Sequence, residues 1–164
     1  VLLGGVLVVT QLFRAFSGET LVARVVVLNR SPDGCELLYT AADQAPESPP
    51  QRVNLQGDQW AISGGIIKWH KFITAIGIKS YHNPMRLSGQ FSRLEKQRAA
   101  PSSVHPLGPD VDWFWEALYH ADPHLPFIET VYGSAAYVYA EPGVSHEVYV
   151  TPSGYLIKRA RSGR

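Results

Sequence analysis

One cysteine in 164 residues, Cys35, excludes an internal disulfide framework and a cysteine-rich metal site. Fifteen Lys and Arg against 14 Asp and Glu leave a net charge of +1, so no whole-protein field draws in polyanions and no nucleic-acid partner is expected. The chain has no G-x-S-x-G elbow, no phosphate-binding glycine loop, no dinucleotide glycine pattern and no H-E-x-x-H. Histidines at 70, 82, 105, 120, 124 and 146 are scattered, and none stands in a zinc spacing backed by cysteines. Neither a cofactor nor a metal is therefore expected, and no motif points to an enzyme. What is present, 45% apolar and 18% charged residues, suits one domain that folds by burial.

Charge is also missing from the start of the chain. "VLLGGVLVV" carries none, and the apolar character runs through Leu12 and Phe13 to the first charge at Arg14. A membrane span needs about 20 apolar residues, so a chain opening on Val1 inside such a run reads as the second half of a truncated transmembrane helix. A signal-peptide core or a first buried element are the alternatives. No A-x-A-like cleavage site follows Phe16, which counts against the signal peptide. The expected organisation is a partial transmembrane anchor over 1–16, a single β-rich domain over 19–159 and a basic tail over 160–164.

From Thr20 the pattern changes to period two with β-branched residues. "TLVARVVVLN" reads as a strand, "SPDG" as a turn and "CELLYTA" as the hairpin partner. The proline-rich "ADQAPESPP" reads as an exposed loop. "QRVNLQ" and "QWAIS" flank Gly57-Asp58 as a second hairpin. Two short strands are expected around the turn pair Asn83-Pro84, then a polar loop with at most one helical turn. "DVDWFWEALYHAD" follows as the one good internal helix, with Asp110 as N-cap and Pro123 as its stop. "FIETVYGSAAYVYA" and "SHEVYVTPSGYLIKR" close the chain as strands with turns at "EPGV" and "TPSG". Seven to nine short strands and one helix imply an α+β class that is mainly antiparallel β, as a sandwich or open barrel with one amphipathic helix.

"GDQWAISGGIIKWHKF" holds two of the four tryptophans around a glycine pair. In a straight strand Trp60 and Ile62 face one side and Ile67 and Trp69 the other. A bulge at Gly64-Gly65 would shift the parity and turn all four into one core, leaving Lys68 and His70 outward.

Two constellations could carry function. Asp112, Glu116 and His120 recur every four residues on one helical stripe, where carboxylates and imidazole can bind a metal or share a proton. The same stripe is what an amphipathic surface helix shows when Trp113, Phe114, Ala117, Leu118 and Ala121 fill its other face. "KWHKF", from Lys68 to Phe72, mixes cations and aromatics, which suits an exposed strand or a membrane interface. The basic end "KRARSGR" could touch anionic lipid or stay a solubilising tail.

"LQGDQWAISGGIIKW", "RLSGQF", "VYGSAAYV" and "HEVYVTPSGYL" resemble a group of small membrane-anchored bacterial proteins often labelled cation or multidrug efflux proteins. The resemblance covers most of the chain from about Leu21, on glycines at turns and tryptophans in strands, and transfers no catalytic residue. A transporter needs several spans around a central site, so the resemblance implies an accessory and not the pump. The function expected is a membrane-anchored, non-enzymatic accessory or interaction domain of the bacterial cell envelope, held in the inner membrane by one span through lipid contact, with another envelope protein as partner. Its contact surface would be the sheet edges and the Trp69 region. The alternative is a sandwich or barrel binding a small apolar ligand in a pocket lined by Trp60, Trp69, Trp113 and Tyr137, and a third reading is a hydrolase or metal enzyme on the helix stripe.

Overall fold

The computed structural model describes residues 3, 4, 7, 13–101, 103–109, 111–121 and 124–161. Alternating β-branched segments give two antiparallel sheets. The first contains β1 (Arg14–Phe16), β5 (Gln59–Trp69), β6 (Ser80–Gln90), β7 (Val104–Pro106) and β8 (Ile128–Tyr139), in the order β1-β6-β5-β8 with β7 also on β6. The second contains β2 (Thr20–Arg30), β3 (Gly34–Ala41), β4 (Gln51–Gln56), β9 (Ser145–Thr151) and β10 (Gly154–Arg159), in the order β10-β9-β2-β3-β4. Three helices, α1 (Lys71–Ala75), α2 (Leu94–Ala99) and α3 (Asp112–Ala121), lie in the connections.

The inner faces of the two sheets meet in one core. Val25, Val27, Leu37, Val53, Trp60, Ile62, Ile66, Leu87, Val148 and Val150 are fully enclosed there. Each such aliphatic side chain contributes about 1.5–3 kcal/mol by leaving water. A second cluster lies on the outer face of the first sheet, where Phe13, Ile67, Ile128 and Val131 are buried beneath Phe114, Trp115 and Leu118 of α3. The layers are thus sheet, sheet and helix, and the sandwich form of the expected class is the one adopted.

Several expectations change. The four large residues of β5 do not share a face, because β5 runs against β8 without interruption from Gln59 to Lys68. Trp60 and Ile62 enter the inter-sheet core, whereas Ile67 and Trp69 belong to the outer cluster. The bulge sits instead on β6: Ser63 faces Arg86 and Gly64 faces Pro84, so Met85 is the extra residue. Gly64 and Gly65 serve close approach. A Cβ on Gly65 would stand 2.3 Å from the Trp115 ring, and one on Gly64 would stand 2.1 Å from the Asn83 carbonyl oxygen and 2.8 Å from the Tyr155 hydroxyl.

Asn83-Pro84 is no turn either, since β6 passes straight through it. On its far side β6 pairs with β1 over residues 80–82 and with β7 over 86–88. Pro84 falls between them, where its missing N–H leaves no ladder bond unmade. Gly57-Asp58 joins no hairpin: β4 and β5 belong to different sheets, and the chain crosses over at Gly57, whose φ is +138°. Among the described residues from Phe13 onward, ten strands and three helices replace the expected seven to nine strands and one internal helix, because α1 and α2 carry no sequence signal that separates them from a strand end and a polar loop. Trp115 and not Trp113 packs under α3, leaving Trp113 at 66% exposure.

Arg14–Phe16 pairs with β6 and Phe13 is buried, so these residues, assigned to the anchor from sequence, are part of the folded domain. Most of the apolar run before them, the expected cap Asp110, the expected stop Pro123 and Arg164 of the tail lie outside the described residues. Among the described residues no helix is long and apolar enough to cross a membrane.

Gly65→Ala is expected to cost about 1–3 kcal/mol in urea unfolding, because the added methyl meets an indole that can retreat only by repacking. Combining it with Trp115→Leu should recover part of that loss. Simple additivity of the two substitutions would show that Trp115 does not press on Gly65.

Candidate functional site

The two sheets close unevenly along the side where β8 and β10 form their edges. At one end the sandwich is sealed: the Ser134 hydroxyl accepts from the Tyr155 backbone N–H at 3.0 Å, and the Tyr132 hydroxyl donates to the Pro152 carbonyl at 3.1 Å. Further along the edges part, and a groove of about 420 Å³ opens between the last residues of β8 and those of β10. Tyr137, Val138 and Tyr139 form one wall, Ile157 and Arg159 the other, with Gln59, Glu141 and His146 completing the lining. Alternation explains the wall: Val138 turns toward the core opposite Trp60, while Tyr137 and Tyr139 turn to the outer face and stay exposed.

His146 sits at the groove on β9, 5% exposed, opposite Arg159 of β10 and with its ring edge-on to Trp60 at 5.6 Å. Its Nδ1 and the Trp60 Nε1 are buried with no hydrogen-bond partner among the described residues. Burial pulls the His146 imidazole below its ordinary value, the Arg159 guanidinium pulls the same way, and Glu141 opposes both. The ring is therefore neutral at pH 7. Arg159 and Glu141 form an ion pair beside the opening. An apolar wall with a neutral, unpartnered imidazole can receive an extended peptide edge or a small molecule with one polar end; a buried polar atom left alone costs about 1–3 kcal/mol, which such a partner would offset.

A second buried polar group lies deeper. His82 Nδ1 and the Tyr155 hydroxyl are 3.3 Å apart, with Phe16 packed edge-on against the imidazole at 5.5 Å. Burial brings His82 down to about 4, helped by Arg14 and opposed by Asp43, and pushes Tyr39 up to about 12. These groups are uncharged at neutral pH and fill the core. Cys35 is likewise buried, its thiol raised to about 11 by desolvation.

The structure disperses the remaining sequence candidates. Trp60 backs the groove and Tyr137 lines it, but Trp69 belongs to the outer cluster and Trp113 faces solvent, so the four do not enclose a common pocket. Lys68 is half-buried and His70 exposed at the end of β5. Asp112, Glu116 and His120 do share one exposed stripe of α3. The Glu116 carboxylate and His120 imidazole are 4.0 Å apart, with both side chains about three-quarters exposed. Among the described residues no three His, Cys, Asp or Glu side chains are grouped to hold a metal ion. Sequence reasoning overlooked His146, Glu141 and Arg159. The signal for His146 was in its parity, since 146, 148 and 150 alternate inward along β9.

No family model, no curated protein and no solved structure matches the chain.

Two expectations follow. His82 takes up its proton more readily in the unfolded chain, so its contribution to stability is complete above about pH 6.5 and is lost as the pH falls from there toward 4, by roughly 3 kcal/mol at the end of that range. His82→Gln should flatten the stability profile between those values; an unchanged slope would mean that His82 titrates normally. Glu116→Ala with His120→Ala should shift stability by no more than about 0.5 kcal/mol, as expected for an exposed pair, and zinc should not raise the melting temperature of the parent chain.

Proposed function

We propose that this chain is a non-enzymatic interaction domain of the bacterial cell envelope, membrane-anchored through its N-terminal apolar run and accessory to efflux. Its partner-binding surface is the open end of β8. The observation that carries this reading is an edge strand, paired on one side only, that presents Tyr137 and Tyr139 at 62% and 52% exposure beside the groove. An unpaired edge offers N–H and C=O groups to a partner strand, and flanking aromatic side chains supply rigid contact area. The uncharged run that precedes Phe13 and the resemblance of the sequence support the membrane location.

A second reading, a small apolar ligand held in the same groove, is favoured by His146, a lining residue whose Nδ1 has no hydrogen-bond partner among the described residues. That ligand would place its polar end against the His146 imidazole and its apolar body along Val138 and Ile157.

A photocrosslinking side chain at Tyr137 in the native full-length protein separates the two. A discrete crosslink to one envelope protein is expected from position 137 and not from Trp113, with alkaline extraction leaving both proteins in the membrane fraction. Tyr137→Ala with Tyr139→Ala should weaken that association at least tenfold while stability stays within about 0.5 kcal/mol, because both side chains are exposed. A co-purifying small molecule seen by native mass spectrometry, without a crosslinked protein, would favour the second reading. Release of the full-length protein into the soluble fraction would overturn the anchor.

A further inference from the structure

The connection from β5 to β6 is built unlike the short turns of the β2–β3 and β9–β10 hairpins. Residues 70–79 project beyond the sheet, and they include α1, which has no buried residue. Phe72, Ile76 and Ile78 are 59%, 72% and 41% exposed on this tip. Three large apolar side chains within seven residues at the end of a hairpin are a costly surface for a domain surrounded by water. Short polar turns serve the β2–β3 and β9–β10 hairpins, at Ser31–Gly34 and Thr151–Gly154, so topology does not require an apolar tip here.

Charge is arranged around it with one sign. Lys68, Lys71 and Lys79 flank the apolar residues, and 68–79 contains no acid. None of the three lysines makes an ion pair among the described residues. The nearest acid in register is Glu129, the extra residue of β8 where Lys68 faces Thr130 and Trp69 faces Ile128.

The base of the tip is fixed. The Trp69 indole N–H donates to the Lys79 carbonyl at 2.8 Å, bridging the two ends of the connection. Trp69 packs edge-on to Tyr81 at 6.1 Å and against Phe127 at 6.2 Å, and the His70 backbone N–H donates to the Phe127 carbonyl at 3.0 Å. Apolar tip, lysine collar and aromatic base follow one another in the order in which hydrocarbon, headgroups and the interfacial aromatic zone succeed one another at a bilayer surface.

We propose that the β5–β6 tip is a membrane-docking loop that inserts Phe72, Ile76 and Ile78 into an anionic phospholipid surface, with Lys68, Lys71 and Lys79 on the headgroups. This contact is additional to any N-terminal span and independent of the groove. It orients the domain by holding a second point of it against the lipid. Each lysine near an anionic surface strengthens binding, and three together are worth roughly 100-fold in partitioning. Protein recognition would need a partner with an acidic, apolar cleft, whereas the bilayer supplies both features without shape matching.

The test uses the full chain with an environment-sensitive dye on Ile76→Cys, Cys35 being buried, and vesicles of phosphatidylcholine with or without one-quarter phosphatidylglycerol. On anionic vesicles the dye should shift to the blue and be quenched by bilayer-embedded quencher lipids, while the same dye on Tyr137→Cys should not. Lys68→Glu, Lys71→Glu and Lys79→Glu together should reduce this insertion at least tenfold, as should raised salt, with the folded spectrum unchanged. A dye at 76 that stays in water on vesicle-bound protein would overturn the proposal. Equal insertion into neutral vesicles would overturn the role of anionic lipid. A blue shift without lipid that grows with protein concentration would assign the tip to a second copy of the chain and end the lipid reading.

Discussion

Strand β5 is buried on both faces, and much of the architecture follows from that. One face supplies Trp60, Ile62 and Ile66 to the inter-sheet core, while the other supplies Gly65, Ile67 and Trp69 to the surface under α3. Such a strand cannot follow a simple inward-outward code, and its composition is accordingly apolar almost throughout. At its middle two aromatic residues approach from opposite sides, Tyr155 over Gly64 and Trp115 over Gly65. Side chains larger than hydrogen would separate the layers. The glycine pair therefore sets how closely sheet, sheet and helix stack.

Strand periodicity made much of the sandwich legible. The runs at Thr20–Arg30, Gly34–Ala41, Gln51–Gln56 and Ser145–Thr151 could be read from alternation and turn residues because each has one dry and one wet face. Where that condition fails, the reading failed. A doubly buried β5 has no polar face to set its parity, so a bulge was inferred to gather tryptophans that in fact diverge. Gly57-Asp58 carries hairpin chemistry, yet it turns the chain into the other sheet, which nothing within six residues could reveal. Asn83-Pro84 carries turn chemistry, yet the gap between β1 and β7 that admits Pro84 within a strand exists only in three dimensions.

The groove was less legible than the core. Tyr137 and Trp60 stood out as aromatics, but what brings them near His146 and Arg159 is the parting of two edge strands from different sheets. Long-range juxtaposition leaves no local spacing to detect. The helix stripe had the opposite character: a regular pattern in sequence that the fold leaves on an open surface, with an exposed i,i+4 pair and no third ligand grouped with it among the described residues.

The second sheet has a consequence for how the chain is made. Its central strand β2 lies near the start of the domain, and one of its two neighbours, β9, comes from near the end, with Thr20 facing Val150. During synthesis β2, β3 and β4 can pair with one another, but the Val-rich edge of β2 stays open until almost the whole domain has left the ribosome. A hydrophobic edge in that state recruits other strands. Folding of this domain is thus a late, non-local closure, set by the arrival of its C-terminal hairpin. Loss of β9 and β10 would remove more than two strands, since it would leave the oldest part of the fold with its most adhesive edge uncovered.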